Sequence, residues 1–265
     1  MQAELAIAAV RRGRLGVLVR IVSVAALVAA VVAFYPSIKS DVSLDKSFSE
    51  LPDAVRAFLG SDSIISPVGY LTSRLFGWIV PFVLITFMVG RGAAAIAGEE
   101  EGHTLNLVLS YPVRRRSAVL QRLVAMVAEL VVVSALGLWL PLVALSRVSD
   151  IDIGVAYETA AVVEVSVLAF AFGALALAVG AATGRRAIAL GFGSGLAVTG
   201  YVVSTLSRVV DSLKPLRPLT VWRWYDGHQP LTDGIDVGDT IVLIVLAVIV
   251  VTIGIAVFER RDVRE

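Results

Sequence analysis

Gly98-Glu99-Glu100-Glu101-Gly102-His103-Thr104-Leu105-Asn106-Leu107-Val108-Leu109-Ser110-Tyr111-Pro112-Val113-Arg114-Arg115-Arg116 is a compact charged segment between two long apolar runs. The run before it, 76–97, holds one charge, Arg91, and the run after it, 123–145, holds one, Glu129. Each is near the roughly 20 residues a helix needs to cross a bilayer. The segment is therefore a connector between two spans, and the fold is a membrane bundle. In so apolar a chain, such a connector is where the membrane part can meet a soluble partner.

Composition agrees. The 265 residues are 57% hydrophobic and 17% charged, with a mean hydropathy of +0.85. A soluble domain is typically about 45–50% apolar and about 25% charged. The chain has no Cys and two His, His103 and His228. Disulfides, thiolate metal sites and Cys nucleophiles are excluded, and no metal site is expected. Nothing in the charge pattern calls for nucleic acid.

Six apolar runs stand out, at about 15–35, 76–97, 123–145, 159–182, 187–209 and 240–258. The predicted fold is an all-α integral membrane protein, 1–265 forming one transmembrane domain of six helices. The first run lies too deep and is too long for a cleaved leader, and no small-x-small site follows it. Runs four and five are separated only by Thr183-Gly184-Arg185-Arg186, which makes them an antiparallel hairpin.

Positive residues favour the cytoplasmic side. With the N-terminus inside, 14 Lys and Arg fall inside and 9 outside, and the outside loops are the longer ones. The inside set includes Arg11, Arg12, Arg14, Arg20, Arg91, Arg122, Arg185, Arg186, Arg260 and Arg261. Both termini are expected in the cytoplasm, and the chain in the plasma membrane.

Three flanking segments have their own signals. The stretch 4–19 alternates Leu5, Ile7, Val10, Leu15 and Leu18 with Arg11, Arg12 and Arg14. It reads either as an amphipathic helix at the inner interface or as a charged tail that sets topology. In the first outside loop, Ser49, Pro52 and Gly60 punctuate a short helix whose apolar face is Leu51, Val55, Phe58 and Leu59. The last outside loop, 211–239, carries Trp222, Trp224 and Tyr225, which suit the membrane–water interface. It reads as an outer loop with an aromatic anchor, or as a partly re-entrant segment.

The opening connector reads as a short helix across the membrane axis. Glu99, Glu100 and Glu101 would favour its N-terminus through the helix dipole, and Gly102 permits a backbone break. Thr104, Leu105, Leu107, Val108 and Leu109 supply one or two turns with an apolar face. Pro112 bars continuation. Tied to two spans, this element could transmit force from a docked partner; a solvated positive-inside loop is the plainer alternative.

The pattern Gly-Glu-Glu-x-Gly-x-Thr-Leu-x-x-x-Leu-Ser-x-Pro-Val-x-Arg, here Gly98 to Arg115, resembles the loop of type-2 ABC exporter permeases (ABC-2). Glycine usually directly precedes the threonine in that family, whereas here His103 stands between Gly102 and Thr104. The basic N-terminus, the six spans and the closing Phe258-Glu259-Arg260-Arg261-Asp262 are also similar. The resemblance implies a permease subunit that exports its substrate as a homodimer or beside a similar permease. It also implies two copies of a separate cytoplasmic ATPase, which would carry ATP and Mg. Glu99, Glu100, Glu101, Gly102, His103, Thr104, Leu105, Leu109, Pro112, Arg114 and Arg115 would form the coupling helix seated on that ATPase. The Val/Ala/Arg/Asp-rich usage suits a high-GC prokaryote.

No P-loop exists, because none of Lys39, Lys46 and Lys214 follows a Gly. This chain is not expected to be an enzyme or to hold a cofactor itself. Acids inside spans cost a few kcal/mol unless they face protein or water, so Glu129 and Glu164 are candidate lining residues of a translocation path. The alternative is an interfacial role, Arg122 standing two turns before Glu129. Gly180 with Gly184, and Gly191 with Gly195, have small-x-x-x-small spacing, suited to close packing of the hairpin or to a dimer seam. Pro81 and Pro141 would kink the second and third spans. Two other readings compete: a secondary transporter coupling ions through Glu129 or Glu164, and a non-transporting anchor or sensor that recruits a cytoplasmic partner.

Overall fold

The computed structural model describes residues 2–39, 66–102 and 115–261, with side chains from Leu15 onward. Within them the regular structure is helical, and six helices are long and apolar enough to cross a membrane. These are α1 (Gln2–Lys39), α2 (Pro67–Glu101), α3 (Arg115–Ser146), α4 (Val155–Thr183), α5 (Arg186–Leu206) and α6 (Val237–Arg260). The first turns agree with the sequence reading to within a few residues except in α1, α2 and α3, which start thirteen, nine and eight residues early.

The extensions of α2 and α3 have local causes. Ser66 caps α2, its Oγ accepting from the Gly69 amide at 3.0 Å, and Pro67 occupies the first helical position. That is a standard start signal. The basic run at Arg115 and Arg116 is already helical in α3, because Arg115 can reach across to the end of α6.

The prolines act differently from the expected simple kinks. In α2 a wide π-helical turn spans Thr72–Phe76, and the chain breaks at Gly77 and Trp78, where Trp78 has φ −155°. Pro81 then lies in the first turn of the resumed helix Ile79–Ala93, where its missing N–H costs nothing. In α3 the π-helical stretch Ser134–Trp139 comes just before Pro141 and absorbs the lost bond.

The helix α4 is the axis of the bundle: 61% of its apolar window is buried, against 17% for α1. It packs on α2, α5 and α6, while α1 lies outside against α3. The α2–α4 contact is close enough that a Cβ on Gly92 would overlap the Gly173 carbonyl. Gly184 ends α4 at φ +63°, its amide bonding the Gly180 carbonyl at 2.8 Å, and α5 begins two residues later. The expected hairpin is therefore present, closed by a left-handed glycine cap.

The α1 backbone is one uninterrupted helix from Gln2, so the N-terminal basic stretch continues the first span. The expected outer helix at Ser49 to Gly60 and the expected coupling helix at Thr104 to Leu109 lie outside the described residues. The loop before α6 is not a mere surface anchor. Trp222 is 1% exposed, donates to the Ala197 carbonyl at 2.8 Å, and sits among Phe82, Phe172, Tyr201 and Tyr225. The aromatic segment folds back into one end of the bundle.

Candidate functional site

Three polar constellations interrupt the apolar bundle. The first joins the helix ends at one pole. The acids Glu99–Glu101, expected at the N-terminus of a short helix, form the last turn of α2. Acids there oppose the helix dipole, and cations and amides from neighbouring helices offset the conflict. Glu99 pairs with Arg122 of α3, through both Nε and Nη2. Glu100 pairs with Arg261, just past α6, with side-chain exposures of 4% and 18%. Glu101 Oε1 accepts from the Arg186 amide at 2.8 Å, and so serves the exposed N-terminus of α5. Arg115 donates to the carbonyls of Phe258 and Arg261 and lies over the Phe258 ring. A Cβ on Gly184 would run into the carboxylate of Glu100 and the guanidinium of Arg261. Four helices, α2, α3, α5 and α6, are thus fastened at the root of the segment 98–116, with the end of α4 packed against them.

The second constellation lies deep in the bundle. Glu129 is 10% exposed and pairs with Arg20 of α1 and, at 2.7 Å, with Arg91 of α2. Arg122 is its neighbour in sequence only. With α3 starting at Arg115, Glu129 stands about 21 Å along the helix, close to its midpoint. Arg20 and Arg91, read from the sequence only as inside charges, take the pairing with Glu129 that Arg122 was expected to make, and Arg122 pairs with Glu99 instead. A buried carboxylate needs a cation, and neither arginine was singled out because a lone Arg near a span end reads as a topology signal.

The third caps the opposite pole. His228 Nε2 stands 2.7 and 2.8 Å from the two oxygens of Glu164, and the Asp236 amide donates to Glu164 Oε1 at 2.9 Å. Glu164 therefore holds the last loop down on α4. His228 Nδ1 is 3.8 Å from Asp239 Oδ2. Donor atoms of His228, Asp236 and Asp239 lie within 4.8 Å of one another, a spacing a metal could use, although Asp236 Oδ1 already caps α6 by accepting from the Asp239 amide. Asp226 beside them collects Ser204, Arg208 and Arg217. A cavity of about 490 Å³ opens there, lined among others by Tyr201, Arg208, Trp222 and His228. Tyr225 is buried and donates to the Phe76 carbonyl at 2.7 Å; burial pushes its hydroxyl well above the usual tyrosine range.

The glycine pairs separate. Gly180 packs as expected, its Cβ position 3.5 Å from Ala97 and 3.6 Å from Ala189. Gly191 and Gly195 do not pack within the hairpin: nothing lies within 4 Å of their Cβ positions. The close contact falls at Gly193, against Val89 and Ala176. A two-residue shift separates the two faces of α5, and spacing alone does not say which faces inward. The described part of the connector's site set is Glu99, Glu100, Glu101, Gly102 and Arg115; His103, Thr104, Leu105, Leu109, Pro112 and Arg114 lie outside the described residues.

None of the curated proteins matches the sequence. The model of one protein family, described as ABC-2 family transporter protein, matches residues 6–263.

Proposed function

Because this chain belongs to the ABC-2 transporter family and is a non-catalytic, multi-pass membrane component, we propose that it is the export permease of a complex driven by a separate cytoplasmic ATPase. In this reading the pole holding Glu100 and both termini face the cytoplasm. The segment 98–116 docks on the ATPase, which holds ATP and Mg, and the chain pairs with a second copy.

The observation that carries this is the lattice at the root of the segment. A force applied there does not bend one loop. It acts on α2 through its last turn, on α3 through Arg122 and Arg115, on α5 through the Arg186 amide and on α6 through Arg261. Charge-assisted bonds of this kind are short and directional, so motion of an attached ATPase would move helix ends together. At the opposite pole the loop carrying Trp222 and His228 closes the bundle and would be what that motion opens. Pairing with a second copy is supported by α5, which leaves Gly191 and Gly195 facing outward beside Phe192 and Val198. Small residues permit close helix approach between copies.

Two substitutions separate docking from transmission. Leu105→Asp with Leu109→Asp should abolish co-purification of the ATPase. Glu100→Gln should retain it and reduce substrate-stimulated ATP hydrolysis. If both leave association and hydrolysis unchanged, the coupling role is wrong.

A further inference from the structure

We propose that the groove between α1 and α2 binds an amphiphile with one acyl-like chain and an anionic head, the head resting on Arg20 and Arg91. Three observations meet there. The first is charge. Two guanidiniums share one carboxylate, Glu129, and no other acid pairs with either of them among the described residues. Each guanidinium offers five N–H donors, far more than one carboxylate can fill, and the Arg91 Nε is buried without a hydrogen bond of good geometry. One positive charge is left over near mid-bundle, where an uncompensated charge is costly.

The second is shape. A groove of about 370 Å³ is lined by Ser23, Leu27, Phe82, Val83, Thr86 and Phe87. That volume is within the range of small-ligand sites, and the lining is mainly apolar. The third is continuity. Ser23 is one turn beyond Arg20 on α1, and Phe87 one turn before Arg91 on α2. Arg20 stands 5.9 Å over the Phe87 ring, which lines the groove, so this cation sits at one end of it, paired through Glu129 with Arg91. From Arg20 to Leu27 the groove runs for about 10 Å along the helix, room for a single chain. Arg91 is 42% exposed, so a head can reach it. Guanidinium also suits phosphate, sulfate and carboxylate heads better than ammonium does, through its planar fork. At the other end, Phe82 contacts Tyr201 and Trp222, whose rings line the cavity at the far pole. The groove therefore points toward that cavity.

As a statement of substrate class this rests on the export reading, but the test needs no ATPase, so the two can fail separately. The full chain in dodecyl maltoside micelles is titrated with dodecyl phosphate, with dodecyltrimethylammonium and with inorganic phosphate, and bound adducts are counted by native mass spectrometry. Dodecyl phosphate should bind at least about tenfold tighter than dodecyltrimethylammonium, and inorganic phosphate should not displace it. Leu27→Trp, which fills the groove and leaves the arginines alone, should remove the adduct. Arg91→Gln should weaken it about tenfold, and Glu129→Gln, which frees both cations, should strengthen it. Equal binding of the two amphiphiles would mean annular detergent only and overturn the proposal. So would an adduct that survives Leu27→Trp, or a Glu129→Gln variant that folds and binds more weakly. Displacement by inorganic phosphate would assign a free-anion site instead. A dimer lost in Arg91→Gln, with no adduct in any form, would assign the spare charge to a second copy.

Discussion

Replacing Arg261 by Gln cuts the tie between α2 and α6. The pair is well buried, Glu100 at 4% and Arg261 at 18% side-chain exposure. Removing one member of a buried pair costs about 3–5 kcal/mol, because the remaining charge stays buried. The modest exposure of Arg261 places the cost at the lower end, about 3 kcal/mol. For a chain of this size each kcal/mol moves the midpoint of thermal unfolding by about 2–4 °C, so the expected fall is about 6–12 °C. Glu100→Gln should cost a similar amount. The double variant, with two amides able to bond each other, should lose about 4 kcal/mol rather than the additive sum of about 6, giving a coupling of about 2 kcal/mol. The assay is detergent-solubilised thermal unfolding of the four proteins in one buffer. Additive single effects, with coupling under about 0.5 kcal/mol, would refute the claim that this pair fastens the helix ends.

Trp222→Ala should cost about 3–5 kcal/mol by emptying a closed aromatic site, and Trp222→Phe about 1 kcal/mol for the lost bond to Ala197, both read as midpoint shifts. Gly92→Ala should cost about 3 kcal/mol, since backbone of α4 occupies the Cβ position. Gly191→Ala should instead stabilise α5 by about 0.5–1 kcal/mol in the isolated chain. Because the chain has no Cys, a single Gly191→Cys variant should cross-link as a dimer in native membranes, and Ser73→Cys should not. With its hydroxyl held protonated by burial, Tyr225 keeps its bond to Phe76 below pH 10, the model-peptide value. Stability should then fall as pH rises above that, since the unfolded tyrosine ionises first, and the fall should be shallower in Tyr225→Phe.

The spans were legible because apolar length is a one-dimensional property: six runs in the sequence became six helices. Their ends were less so. Residue 67 opens α2 through a side-chain cap at Ser66, nine residues before the apolar run becomes dense, and Arg115 joins α3 through a bond to α6 that only the fold creates. The hairpin at Gly184 was readable from its four-residue turn. Which glycine of α5 packs was not, because Gly191, Gly193 and Gly195 differ only in the direction they face. Glu129 and Glu164 stood out as acids in spans, but their partners come from 38 or more residues away in sequence: Arg91 and Arg20 for one, His228 for the other. The three consecutive glutamates signalled a special segment correctly, yet the dipole argument assigned them to the wrong helix end, since it ignored arginines supplied by three other helices.

The central claim is that the segment between α2 and α3 is where an ATPase drives this chain. The most direct measurement is a pull-down of the full chain from its native membrane, wild type against Leu105→Asp/Leu109→Asp, with bound proteins identified after cross-linking. Recovery of a P-loop ATPase with the wild type and its loss with the folded variant is the predicted result. Folded wild-type protein that brings down no ATPase, or a variant that retains it fully, would contradict the account.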